Sequence, residues 1–178
     1  MRFRHRTMTT RVPASPRRAP FARVAAAALA LLVALGGLAP LACSAPARES
    51  RYCVRVSDGD TIVLDRGERV RLIGVDTPEL HHPVKPVEHF AREARDHVRR
   101  LVAGKRIWLE YDRVRRDQYG RTLAYVYLAD GTLLNLRIIE AGFGFAYTKH
   151  PFRADLMRRF RQAERRARDT DQGLWATR

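Results

Sequence analysis

Apolar and polar positions first fall into a strand-like pattern at Tyr52-Cys53-Val54-Arg55-Val56. Two further short runs follow, Thr61-Ile62-Val63-Leu64-Asp65 and Arg69-Val70-Arg71-Leu72-Ile73-Gly74-Val75, with Asp65-Arg66-Gly67 as a turn between them. This spacing predicts three short antiparallel strands. From Pro86 the period changes. Phe90, Ala94, Val98 and Leu101 recur at spacings of four, four and three, and Gly104 lies just past the last of them, which predicts an amphipathic helix with a glycine stop. Ile107-Trp108-Leu109-Glu110-Tyr111 and Thr122-Leu123-Ala124-Tyr125-Val126-Tyr127-Leu128 predict two more strands, joined by an arginine-rich loop, and Asp130-Gly131 marks a tight turn. Asn135 is placed to cap a short helix that runs through Ala141 and stops at Gly142. Leu156, Phe160, Ala163 and Ala167 mark a third helix reaching towards Trp175. No internal repeat interrupts this order.

Five strands with one helix inserted after the third and two more at the end predict a mainly β fold with helices (α+β). The leading candidate is a small five-stranded OB-fold barrel carrying three helices, an architecture that often binds oligonucleotides. Residues 1–42 stand apart. Seven arginines and no acid precede Val24-Ala-Ala-Ala-Ala-Leu-Ala-Leu-Leu-Val-Ala-Leu35, and Gly36, Gly37 and Pro40 come after it. That is the order of an export signal peptide; an uncleaved membrane anchor is the rival reading, for which the apolar run is short. Pro40-Leu41-Ala42-Cys43 resembles a bacterial lipobox except at Pro40, so lipidation of Cys43 and ordinary cleavage nearby both stand open. Either route exports the chain, as a secreted, periplasmic or envelope-anchored protein. Residues 43–50 read as a small polar linker and 51–178 as the folded domain.

Composition sharpens the choice of partner. The 178 residues include 34 Lys+Arg against 19 Asp+Glu, and only Lys85, Lys105 and Lys149 are lysines. Discounting the leader leaves 27 basic residues against 19 acidic ones, a surplus that favours a polyanion such as nucleic acid or anionic lipid. A hydrophobic content of 46% is enough for a core and excludes wholesale disorder. With only Cys43 and Cys53 present, no disulfide framework is implied, and Cys53 reads as a buried small apolar residue at a strand start.

The acids gather in two places, Asp58-Gly59-Asp60-Thr61 and Asp76-Thr77-Pro78-Glu79. Antiparallel neighbours can bring these together, and paired carboxylates with backbone carbonyls suit a hard cation, Ca²⁺ or Mg²⁺. Arg71 belongs to the same end of the sheet as Asp76, and Asp117-Gln118-Tyr119-Gly120-Arg121 adds a second arginine on the loop before the fifth strand. Two guanidinium forks beside a cation fit a phosphodiester, because fixed positive charge matters most where a phosphorane-like transition state gathers negative charge. Glu79 is placed to orient or deprotonate the attacking water.

Taken together these residues resemble the thermonuclease family, the staphylococcal-nuclease-like domain. The resemblance runs from about Tyr52 to Trp175 and includes the two acidic motifs with Arg71, His82-Pro83, Glu93-Ala94, the run from Asp117 to Tyr127, Asn135 and Ala141-Gly142. It implies an OB-fold barrel with three helices and Ca²⁺-dependent hydrolysis of DNA and RNA, at the 5′ oxygen so as to leave 3′-phosphates. It further implies a metal held by Asp60, Asp76 and the carbonyl of Thr77, with Glu79 serving the attacking water. Arg71 and Arg121 would grip the scissile phosphate, Tyr119 would contact phosphate, and Tyr147 would match a base-stacking tyrosine.

His89, Glu93 and His97 share a helix face at i, i+4, i+8, and zinc there is weighed against a solvated face. Trp108 and Trp175 are expected in packing, and His81 and His82 in a loop. The competing reading is a catalytically silent nucleic-acid-binding OB module; the complete set Arg71, Asp76, Glu79 and Arg121 favours an enzyme. A purely lipid-binding envelope protein would leave that set unexplained. A monomer is the expected state.

Overall fold

The computed structural model describes residues 47–80 and 86–176. The leader, Cys43, and the loop holding His81 and His82 lie outside the described residues. Five strands close a barrel in the order β1 (Glu49–Asp58), β2 (Thr61–Leu64), β3 (Arg69–Leu72), β6 (Thr122–Tyr127) and β5 (Lys105–Glu110), with β5 returning to β1. All pairs are antiparallel except β3 and β6, which run parallel with Val70 opposite Thr122 and Leu72 opposite Ala124. The expected α+β barrel is present, and so are its three helices, α1 (Ala91–Val102), α2 (Leu134–Glu140) and α3 (Ala154–Asp169).

β1 is long enough to serve both edges of the closure. Its first half pairs with β5, from Glu49 opposite Leu109 to Cys53 opposite Lys105, and its second half pairs with β2 through an irregular register. Alternation along the strands turns Cys53, Ile62, Val70, Leu72, Ile107 and Leu109 inward, all fully buried or nearly so. Each such aliphatic side chain contributes about 1.5–3 kcal/mol by leaving water. Ala91, Ala94, Val98 and Val102 make the buried stripe of α1, and Leu156, Phe160, Ala163 and Ala167 that of α3. The α3 stripe is the one read from the sequence; in α1 only Ala94 and Val98 of the expected positions are buried, since Phe90 precedes the helix and Leu101 is half-buried beside Val102.

Three features depart from expectation. β1 begins at Glu49, so Glu49 and Ser50 belong to the barrel and not to the linker. Their side chains are exposed, and polar residues on an outer strand face carry no apolar signal; Tyr111 donates its hydroxyl to Glu49 at 2.6 Å, and the Arg48 guanidinium lies 3.4 Å from the centre of the Tyr127 ring. The run from Arg69 to Val75 is broken, because Gly74 takes a φ of +74° and an added Cβ would lie 2.6 Å from Phe152. Beyond that kink Val75–Asp76 forms a separate two-residue strand, β4, paired with β7 (Phe145–Ala146), and Tyr147 N–H donates to Gly74 O. Finally, Asn135 does not cap α2. Fully buried in its first turn, it accepts from Val126 N–H and donates to Ile73 O and Ala124 O, tying α2 to β6 and to the kink.

Candidate active site

Asp60 sits in the β1–β2 turn, Asp76 ends β4 and Thr77 follows it, so the kink at Gly74 decides how the two acidic motifs meet. They meet closely. Asp60 is 6% exposed, and its Oδ2 accepts from Thr77 N–H at 3.0 Å and from the Thr77 hydroxyl at 3.2 Å, while Oδ1 accepts from the Thr61 hydroxyl. Gly144 on the following loop has no room for a side chain, since a Cβ there would stand 2.8 Å from Asp76 O.

Arg71 lies between the two carboxylates. Its Nη1 is 3.0 Å from Asp60 Oδ2 and donates to Val75 O at 2.6 Å, and its Nη2 donates to Asp76 Oδ1 at 2.8 Å. Partial burial lifts the Asp76 carboxyl above the usual carboxylate range; the Arg71 charge opposes this, and the neighbouring charges of Asp60 and Glu79 add to it. This corner therefore holds more negative charge than one arginine relieves. A hard cation fits such a donor set: two carboxylates with the Thr77 carbonyl next to Asp76 in sequence.

Arg121, from the β5–β6 loop, is held differently. Its Nε donates to Asp117 Oδ2 at 2.6 Å and its own backbone N–H to Asp117 Oδ1, and its guanidinium carbon lies 5.4 Å from the centre of the Tyr119 ring. Burial raises the Asp117 carboxyl, but these bonds outweigh it and keep the group ionised below its ordinary range. Tyr119 itself is 74% exposed.

Arg71, Asp76, Arg121, Tyr119 and Tyr147 share one cleft of about 1300 Å³. Asp60 and Thr77 lie buried behind its wall, joined to it through Arg71. Glu79 is exposed and outside the lining; its backbone is tied to Glu88, whose carboxylate accepts from Glu79 N–H and whose own N–H donates to Glu79 O. Asp58 is engaged by Leu80 N–H and does not join the other acids. Sequence reading missed Asp112, Arg113, Lys149 and His150 on the cleft wall. These come from two loops with no periodicity; the one available signal was that Lys149 is among only three lysines.

The expected helix face of His89, Glu93 and His97 is not formed: α1 starts at Ala91 after a left-handed Phe90, so His89 precedes the helix and only Glu93 and His97 lie on it, and His97 is not solvated. Its ring stacks on Phe143, 4.1 Å between centres, and burial lowers its pKa, with Arg100 and Arg137 adding to the effect. Among the described residues no cluster of three or more His, Cys, Asp or Glu is placed to hold a metal ion. The two tryptophans pack as expected, Trp108 against the barrel core and Trp175 edge-on to Phe145.

Residues 69–177 match the family described as staphylococcal nuclease homologue. The thermonuclease of Staphylococcus intermedius is 46% identical over 101 residues, covering 55% of this chain and 60% of that protein. That of Staphylococcus hyicus is 37% identical over 134 residues, covering 73% and 78%. An uncharacterized endonuclease of Escherichia coli O157:H7 is 36% identical over 126 residues, covering 69% and 74%. The chain thus spans less than two thirds of the first of these proteins and about three quarters of the other two.

Proposed function

This chain belongs to the staphylococcal nuclease family, and from that premise we propose that it is an exported, Ca²⁺-dependent nuclease that hydrolyses phosphodiester bonds of DNA and RNA. The observation that carries the proposal is the cleft that puts Arg71, Asp76 and Arg121 on one surface.

Asp60, Asp76 and the Thr77 carbonyl would hold the metal. When bound, the cation supplies positive charge to a non-bridging phosphate oxygen and to the attacking water. Arg71 from β3 and Arg121 from the β5–β6 loop bind the phosphodiester and stabilise the charge that grows on its equatorial oxygens. Arg71 is already fixed by Val75 O and Arg121 by Asp117, so little reorganisation is needed as the phosphate reacts. Glu79 accepts a proton from the water whose oxygen bonds to phosphorus. The bond from phosphorus to the 5′ oxygen breaks, that oxygen leaves as the alcohol after taking a proton from solvent, and the phosphate stays on the 3′ side. Tyr119 contacts phosphate at the cleft mouth, and Tyr147 stacks a base.

Export rests on the leader in residues 1–42, and anchoring on Cys43. A diacylglyceryl cysteine would hold the chain to a bilayer at about 0.8 kcal/mol per buried methylene. The test of function is direct: the purified protein is incubated with plasmid and with RNA, with and without Ca²⁺. Degradation that EDTA abolishes is expected. Binding of both polymers with no degradation at any divalent ion would return the chain to a silent binding module. Fractionation of wild type and Cys43→Ser reads the anchor, and a wild type already soluble outside the cell removes it.

A further inference from the structure

A second hollow of about 480 Å³ lies on the far side of the loop that carries Tyr119 and Arg121. It is formed by the β2–β3 turn and the β5–β6 loop, and its wall holds Arg66, Arg69, Arg116 and Arg121. The topology brings two of these side by side. Val70, next to Arg69, pairs with Thr122, and Thr122 makes an isolated bridge to Arg116, so Arg69 and Arg116 flank one residue of β6. Arg66 stands at the tip of the turn with a φ of 66°, a left-handed conformation that a non-glycine residue adopts at a cost.

Glu68 is the one acid of this hollow, and its charge is already engaged. It takes Arg51 Nη1 at 2.7 Å and the Thr122 hydroxyl at 2.6 Å, which outweigh burial and keep it ionised. Arg66, Arg69 and Arg116 are exposed and have no carboxylate within ion-pair distance among the described residues. Three arginines thus face solvent around a concavity; Arg116, Tyr119 and Arg121 are shared between it and the cleft, while Arg66 and Arg69 line the hollow alone.

We propose that this hollow is a non-catalytic phosphate subsite that takes a phosphodiester further along the same nucleic-acid strand whose scissile group lies in the cleft. The proposal rests on the nuclease reading for the identity of the strand. Its physical basis is independent of that reading: unpaired guanidinium groups around a hollow bind phosphate through charge and paired donors. A strand that leaves the cleft past Tyr119 meets Arg116 and Arg69 next, and Arg66 last.

The experiment measures binding of the full chain in EDTA, by fluorescence anisotropy, to labelled oligothymidylates of about four and about sixteen nucleotides, the range of site sizes for such folds. Each neutralised phosphate contributes about −0.7 to the slope of log affinity against log salt for a single strand. The double variant Arg66→Ala, Arg69→Gln, which leaves the cleft lining untouched, is expected to lose about 1.4 units of slope and severalfold affinity for the long probe. Binding of the short probe should stay within about twofold, because it fills the cleft alone. The double lysine variant, Arg66→Lys with Arg69→Lys, is expected to restore the slope, which separates lost charge from lost folding. An unchanged slope for the long probe overturns the subsite. So does equal weakening of both probes, which would assign the arginines to the scissile site, or a loss seen with phosphatidylglycerol vesicles and not with oligonucleotide. Hydrolysis of the short probe by wild type in Ca²⁺ is read separately: its absence would sink the nuclease reading while leaving the slope difference to stand.

Discussion

Arg71 joins two carboxylates and a carbonyl with one planar group, and Arg121 is locked to Asp117, so each has a geometry that an ammonium cannot copy. Arg71→Lys and Arg121→Lys should therefore each cut kcat by on the order of 10² or more while weakening long DNA much less. Arg165→Lys on the exposed face of α3 is the control and should change little; near-normal kcat in both site variants would return these arginines to the solvated surface. Asp60→Asn or Asp76→Asn should lower Ca²⁺ affinity and activity together, and calorimetry showing unchanged binding would place the metal elsewhere. Asp112 makes a prediction about pH. Burial raises its carboxyl, but Tyr125 O–H, Arg113 N–H and Arg153 N–H donate to it and bring it below its ordinary range. A depressed carboxyl favours the folded state above the unfolded-chain value, and that contribution disappears as pH falls through the folded value. Asp112→Asn is expected to cost about 1.5–3 kcal/mol at neutral pH, with the gap to wild type closing in acid, as followed by urea unfolding at several pH values.

The elements were legible where a period of two or four could be written down and illegible where an element is too short to have one. β4 and β7 are two residues each, so nothing in the sequence distinguishes them from loop, yet their pairing is what turns Asp76 and Thr77 towards Asp60. Asn135 was read as a cap because a buried asparagine and a capping one carry the same letter before the same apolar run. Its three bonds instead hold α2, β6 and the β3–β4 kink in one register. Asn135→Leu keeps the branching and strands the buried Val126 N–H and Ile73 O, while Ala124 O still accepts from Ile73 N–H. It should cost about 3 kcal/mol or more, measured as a shift in the denaturation midpoint at unchanged m-value. The acidic motifs, by contrast, were readable because each packs its chemistry into four consecutive residues.

At the scale of the molecule, the barrel joins at two seams that are remote in sequence: Glu49 meets Leu109, and Val70 meets Thr122. The first half of β1 thus waits for β5, and β3 waits longer still for β6. A nascent chain that has reached Leu72 holds β1, β2 and β3 as an open sheet with two bare edges, and no enclosed interior exists until β5 and β6 have been made. Bringing ends together across some fifty residues must be accomplished before any burial rewards it, so this topology should refold in milliseconds to seconds and not in microseconds. Stopped-flow fluorescence can follow this through Trp108, which pairs with Tyr127 across β5 and β6. Under the export proposed above, slow closure is an asset: the polypeptide stays loose for as long as β6 is unmade.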